Sequence, residues 1–471
     1  MKPCRRRKQS SRSRAELSRR NFLGGIAAGT LAGGVLGCSD QNALEAPSQQ
    51  PDGKSNIREN IRIQSAIAAP VGEMVMPGPF PGRVVEVAHS GSVRDGRRDP
   101  AAVKAMIKHG MQQLVPDAES LVDAWRYFFQ KGDRIGIKVV PVGMVPKPGA
   151  DSNKAELCVD LKRPGPISSY EVVHEVIDGL TSAGIRTADI IVFDRYLDQF
   201  IQAGYTEILP EGIKWECCSS KVDHAQLEID GQIRGDRRQK NVAGYDRDVF
   251  RELAFCQPPE YHDPKDDRRF RSHLTKIVTK KVDKVISVPV LKDHRSAGIT
   301  FALKNMSHGL VNNVARSHML LPGSPDALGT TMNHCQTFIP AAVSLPPTRQ
   351  KCVLQILDGL VGAYEGGPGA WNRTFATWEY KSLLFATDPV ALDRVGWEIV
   401  DAKRAQEGWP AVARMGLDGE SRIKPEIIDD SGRPYPEQFH IRQPQHVPLA
   451  ALLGLGVFDK DEIDHQRFEI A

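Results

Sequence analysis

The chain predicts an α/β fold, a largely parallel sheet flanked by helices, and three observations carry that expectation. Six short apolar runs between residues 84 and 386 are mostly β-branched and nearly continuous, as strands covered on both faces should be. Stretches with helical spacing lie between them, and strand–helix alternation implies parallel pairing. Residues from about 205 to 271 break the rhythm with Asp230-Gly231, Arg234-Gly235-Asp236-Arg237-Arg238 and Pro258-Pro259, which predicts a charged, turn-rich insertion over one end of the sheet.

The strand-like runs are 84–88 (Val-Val-Glu-Val-Ala), 134–140 (Arg-Ile-Gly-Ile-Lys-Val-Val), 190–193 (Ile-Ile-Val-Phe), 285–291 (Val-Ile-Ser-Val-Pro-Val-Leu), 353–357 (Val-Leu-Gln-Ile-Leu) and 382–386 (Ser-Leu-Leu-Phe-Ala). Ser169 is placed to cap a helix that runs through Val172, Val173, Val176, Ile177 and Leu180 and stops near Gly184. Asp388-Pro389 opens another, with cap and first-turn proline in the favoured order, and Leu392, Val395, Ile399 and Val400 follow at helical spacing.

Ahead of the first strand stands Ser18-Arg19-Arg20-Asn21-Phe22-Leu23, followed by an apolar stretch diluted with glycine up to Cys38. That stretch is short and weakly apolar against the roughly 20 residues of a membrane span. A paired arginine before Phe-Leu reads as a twin-arginine export signal, whose partner is the Tat translocase and whose cargo leaves the cytoplasm folded. Val35-Leu36-Gly37-Cys38 also fits a lipobox, with Cys38 as the lipidated residue; a plain signal peptide that happens to contain a cysteine fits equally. The expected organisation is therefore a signal peptide over 1–37, a flexible linker over 38–75 and a single large α/β domain over 76–471. The expected location is the periplasm, either free or tethered to the membrane through Cys38.

Without residues 1–37, which hold nine Lys/Arg and one acid, the 62 bases and 58 acids of the chain become 53 and 57, a net charge of −4. That balance gives a nucleic-acid partner no electrostatic support. Cys158, Cys217, Cys218, Cys256, Cys335 and Cys352 include no C-x-x-C, which argues against a ferredoxin-type iron–sulfur cluster.

In open parallel sheets, ligands bind beyond the carboxyl ends of the strands. Lys138, Asp194-Arg195, Lys292-Asp293-His294, Asp358 and Asp388 end or follow predicted strands, and such an edge suits an anionic substrate, a divalent metal, or both. Charge at solvated strand ends and helix capping by Asp388 account for each residue singly; the set is what points to a site. His294, His308, His318 and His334 fall within 41 residues, out of 13 histidines, which keeps metal binding and proton transfer open. No pair of them has the spacing of H-E-x-x-H. Gly366 and Gly367 lie in a glycine-rich loop, 362–369, that fits a substrate loop or a plain tight turn and matches neither nucleotide-binding glycine motif.

The blocks Gly132-Asp133-Arg134-Ile135-Gly136-Ile137-Lys138, Pro289-Val290-Leu291-Lys292-Asp293-His294, Thr300-Phe301-Ala302-Leu303-Lys304-Asn305, Arg316-Ser317-His318, Ile356-Leu357-Asp358-Gly359, Gly366-Gly367-Pro368 and Ala386-Thr387-Asp388-Pro389-Val390-Ala391-Leu392-Asp393 resemble, in this order, the bacterial domain-of-unknown-function family 362. The resemblance spans roughly 84–400 and fits an exported twin-arginine subgroup. Some members of that family carry a ferredoxin-like four-iron insertion; this chain lacks its cysteines, so that cofactor does not carry over. The resemblance supports the fold and the choice of site and implies no reaction.

The functional expectation is an exported enzyme acting on a small anionic molecule. Lys292, His294 and Lys304 are the candidate catalytic groups, with His294 as general acid/base. Lys138, Asn305, His318, Gly366 and Gly367 are the candidate substrate contacts. Asp358, Asp388 and Asp393 would bind a divalent metal or orient the lysines. The alternative is a non-catalytic ligand-binding or assembly protein tethered at the membrane. If one site exists, Lys292, His294, Lys304, Asn305 and Asp358 should converge within about 10–12 Å of a point bordering a pocket of a few hundred Å³. Replacing Lys304 or Asp358 by alanine should then cost at most about 1–2 kcal/mol of stability.

Overall fold

Strands within the central sheet divide their side chains between two apolar layers. In the strand that begins at Ile190, Ile190 and Val192 enter one buried cluster while Ile191 and Phe193 enter the other. Both faces are thus covered, which is why the strands read as continuous apolar runs. This computed structural model describes residues 72–151, 153–221, 229–231, 240–253, 271–314, 317, 334–412 and 444–471. The signal segment, Cys38, the linker up to residue 71, Cys256 and His318 lie outside them. The described residues belong to the unit Ala68–Ala471. No described helix is long and apolar enough to cross a membrane.

In chain order the principal strands are β1 (Arg83–His89), β2 (Ile135–Lys138), β3 (Ile190–Tyr196), β4 (Lys214–Ser219), β5 (Lys284–Ser287), β6 (Val290–His294), β7 (Cys352–Glu365), β8 (Ser382–Ala386) and β9 (Asp464–Ile470). The helices that frame the site are α1 (Pro100–Leu114), α2 (Leu121–Phe128), α3 (Tyr170–Ser182), α4 (Ala302–Ser307), α5 (Cys335–Val343), α6 (Pro389–Gln406) and α7 (His446–Leu452). The sheet order is β9-β1-β8-β7-β5-β2-β3-β4. All neighbours are parallel except β8, which runs antiparallel between β1 and β7. The α/β class read from the sequence is the class observed.

Three local features differ from expectation. The run 285–291 is two strands, because Pro289 has no N–H to give to a ladder. The long strand β7 serves both pieces: its 352–355 stretch pairs with β5 and its 358–363 stretch with β6. The insertion begins later than 205, since β4 is a member of the main sheet. Its edge position gives the mixed sequence Lys-Trp-Glu-Cys-Cys-Ser rather than an apolar run. Beyond it, Tyr245–Glu252 and Arg271–Thr275 form a separate two-stranded ribbon. Ser169 occupies the cap position of α3, but its side chain makes no capping bond; its Oγ accepts from Arg98 Nε instead. Asp388 does cap α6, accepting from Val390 N and Ala391 N at 2.9 Å. Helix packing against the sheet is tight. On α3, a methyl group at Gly179 would collide with the Trp125 ring of α2.

Candidate functional site

Parallel register brings Lys138, at the end of β2, opposite Ser287 of β5 and beside Phe193 of β3. The Lys138 ammonium then reaches Asp194 Oδ1 at 2.6 Å, Asn305 Oδ1 at 2.8 Å and Val139 O at 2.8 Å. Asn305 in turn donates to Ser287 Oγ at 2.9 Å. Three strand ends and α4 are therefore tied at the carboxyl edge of the sheet, the place the strand-end argument chose. Gly309 closes against this knot: a methyl there would clash with Asn305 O and stand 2.9 Å from Lys138 Nζ.

Lys292, on β6, is fully buried and donates to Val142 O in the loop that follows β2. Burial, helped by the nearby Lys304 charge, pushes its ammonium down to about 7, with Asp293 and Asp194 acting in the opposite sense and Lys138 adding to the fall. Lys304, on α4, is 8% exposed, and its amine has no hydrogen-bond or ion-pair partner among the described residues. Burial lowers it to about 8; Cys335 opposes that shift and Arg195 reinforces it. Lys138 is thus bonded to Asn305 and Asp194, and Lys292 lies within the electrostatic reach of Lys304, Asp293, Asp194 and Lys138.

The roles within this group differ from those anticipated. All three Lys138 protons are used inside the protein, so Lys138 and Asn305 hold the edge together rather than present a free charge to a ligand. His294 closes β6 and is buried; its Nδ1 accepts from Ser296 N at 3.0 Å and Ala297 N at 3.1 Å, so in the neutral ring the proton sits on Nε2. Gly367 donates its N–H to Asp293 Oδ1 at 2.7 Å and accepts from Arg295 N, while Gly366 O accepts from Asn372 Nδ2. These bonds make the glycine loop a clamp on β6. Behind it, the fully buried Arg404 pairs with Glu365 at 2.6 Å and approaches Asp293 at 4.0 Å.

The three candidate metal ligands do not assemble. Asp358 accepts from Ser169 N at 2.7 Å and Leu360 N at 3.0 Å, on the side of Arg98. Asp388 accepts from Gly82 N and Val457 N as well as from the first turn of α6. Asp393 accepts from Ala302 N and Leu303 N at the start of α4. Burial raises all three above the usual carboxylate range, Asp388 to about 6, while the backbone donors pull the other way. Their oxygens are taken up by peptide N–H groups, and among the described residues no group of three or more His, Cys, Asp or Glu side chains is arranged to hold a metal ion. A cleft of about 470 Å³ lies among Arg94, Arg97, Arg98 and Arg163, with Asp95 and Asp99.

Residues that the sequence did not single out include Ser287, Arg98, Arg404 and His446. Ser287 and Arg404 sit among apolar or ordinary helical neighbours, with nothing in the local pattern to mark them. Asp194 was visible as a strand-ending carboxylate, but its partner could be identified only once β2 and β3 were known to be adjacent.

Fold and site together define an α/β protein with a buried basic cluster at the carboxyl edge of a mostly parallel sheet. The chain belongs to the family described as Domain of unknown function (DUF362), which it matches over residues 154–398. Among solved structures, it is similar to a protein from Thermotoga maritima determined by a structural genomics consortium, at 12% identity and a TM-score of 0.29. That match covers 67% of this chain and 60% of the other, and its score is too low to equate the two folds. No curated protein matches the chain.

Proposed function

We propose that this protein is an exported enzyme that binds a small anionic molecule at the carboxyl edge of its sheet, with Lys292 and Lys304 as the groups that meet it. The observation that carries this reading is the convergence of three lysines where only Lys138 is neutralised at hydrogen-bonding distance, by Asp194. Folding alone gives no reason to sink two further amines into an apolar core, since lysines ordinarily stay in water. A ligand carboxylate or phosphate supplies the missing negative charge. His294, at the end of the strand that carries Lys292, is the nearest candidate in sequence for proton transfer.

Binding of an anion to the folded state raises thermal stability by mass action, about 2.7 kcal/mol at a ligand concentration 100 times Kd. Melting the protein with oxalate, phosphate and sulfate over a concentration series tests the reading. At least one dianion should stabilise wild type and fail to stabilise the Lys292→Met and Lys304→Met variants. Equal responses of wild type and variants, or none with any of the three, would remove the anion site.

For location, the reading is export by the Tat translocase to the periplasm. Arg19→Lys with Arg20→Lys should hold the protein in the cytoplasm. Cys38→Ser separates the two periplasmic states, releasing the protein from membranes only if Cys38 is lipidated.

A further inference from the structure

Helices α4, α5 and α7 bring three reactive side chains together: Lys304, Cys335 and His446. Cys335 begins α5, is buried and donates its thiol to Ser317 O at 3.4 Å. His446 begins α7, is fully buried, and neither ring nitrogen has a hydrogen-bond partner. Lys304 is more than nine-tenths buried, and its amine has no hydrogen-bond or ion-pair partner among the described residues. Leaving the His446 nitrogens unsatisfied in a core is costly, and a partnerless lysine whose field reaches them calls for an explanation.

Among the described residues, the charged side chains that act on Lys304 are cationic. Lys292 comes from β6 and Arg195 from β3, the latter anchored by Nη1 on His308 O at 3.0 Å. The groups from α5 and α7 are a thiol that burial holds in its neutral form, raised to about 11, and an imidazole that burial and the Lys304 charge push down to about 3. Among the described residues, no carboxylate neutralises Lys304. A primary amine in that setting, its ammonium pushed down to about 8, gives up its proton far more readily than a lysine in water and then has its lone pair uncommitted. A desolvated lysine beside other cations is the arrangement that makes a nucleophile toward carbonyl carbon.

We infer that Lys304 forms a covalent imine with a small substrate that carries an aldehyde or ketone next to a carboxylate, an inference that rests on the anion site proposed above. The carboxylate meets Lys292 and Arg195, and the carbonyl carbon meets the Lys304 nitrogen. Nitrogen adds to carbon, a proton passes from nitrogen to the former carbonyl oxygen, and that oxygen leaves as water, giving C=N in place of C=O. Nothing is oxidised or reduced. His446, neutral with both nitrogens free, is the group available to take one proton and return another.

Treating the full chain with glyoxylate and sodium borohydride, then mapping its peptides by mass spectrometry, tests the inference. Borohydride fixes the imine as a secondary amine at the lysine that formed it. The expected result is labelling of Lys304 at least tenfold above any other lysine, and its suppression by oxalate, which has no aldehyde. Labelling confined to other lysines, or none, overturns the imine, and does so even where oxalate stabilises the protein and the anion site stands. Labelling of Lys304 that oxalate leaves unchanged supports the amine while removing the anion site. Lys304→Arg should abolish the adduct; should that variant not fold, the position of the label on wild type decides alone.

Discussion

Asp194→Asn is the sharpest probe of how the site is held. Asp194 and Lys138 approach to 2.6 Å with side chains 6% and 2% exposed, so the charge removed is one that water cannot replace. Breaking a buried pair from one side typically costs 3–5 kcal/mol. Asparagine retains one acceptor oxygen, and Asn305 and Val139 still receive Lys138 protons, which places the expected cost at about 3 kcal/mol. Lys138→Met alone leaves Asp194 without its counter-charge and should cost a similar amount. The double variant removes both charges and loses only the bonds to Asn305 and Val139, about 1 kcal/mol each. It should therefore be much less damaged than two independent losses imply, with a coupling of about 2–4 kcal/mol. Urea unfolding followed by tryptophan fluorescence and circular dichroism, with unchanged denaturant dependence, measures all four corners. An Asp194→Asn cost under about 1 kcal/mol with coupling under about 0.5 kcal/mol would refute the argument that this pair fastens the strand ends.

Asp358→Ala should cost about 2–4 kcal/mol, more than its surface-like sequence context implies, because it strips two buried backbone N–H groups of their acceptor; a loss below about 1 kcal/mol in the same urea assay would contradict this. Lys292 titrates at about 7 when folded and near 10.5 when unfolded, so the unfolded chain binds the extra proton between those values. Stability should accordingly rise as pH climbs above about 7, and Lys292→Met should flatten that rise in a pH series of urea midpoints. His446 is pushed down to about 3 from an ordinary 6.5, so its contribution is present above 6.5 and lost as pH falls toward 3. His446→Leu should then be less acid-sensitive than wild type and, having no orphaned nitrogens, more stable near neutrality by about 1 kcal/mol; a destabilised, equally acid-sensitive variant is the contrary outcome.

The sheet was legible because both of its faces are covered: a run such as Ile190-Ile191-Val192-Phe193 has few other places to go. The edge strand β4 was not, since half of it meets water and its composition passes for a loop. Lys138, Asp194 and Lys292 were legible as edge residues because strand ends in a parallel sheet share an edge, whereas Asn305 reaches Lys138 from α4. The metal reading of Asp358, Asp388 and Asp393 failed for a different reason. An aspartate after a strand serves a cation and a peptide N–H equally well, and sequence does not show which donors the fold will aim at it. His446 was silent because a histidine flanked by Val447 and Leu449 looks like any core residue until its nitrogens are seen to lack partners.

The strand β1 has a consequence in time. Its two neighbours, β8 and β9, lie about 300 and 380 residues further along, and Glu86 within it is bonded to Tyr380 and His465 across those gaps. At synthesis rates of about 5–20 residues per second, β1 waits roughly 15–75 s with both of its edges open. An apolar strand left so long is a template for pairing with another chain. Glu86 interrupts the apolar run at its middle. In the finished protein, burial works against its charge, and His465, Tyr380 and Arg467 more than offset that, bringing its carboxyl below the usual range. During the wait none of the three is in place, and a bare carboxylate in the middle of the strand makes premature docking unfavourable. The same side chain that later ties β1 to β9 and to Tyr380 ahead of β8 first keeps β1 apart from the wrong strands.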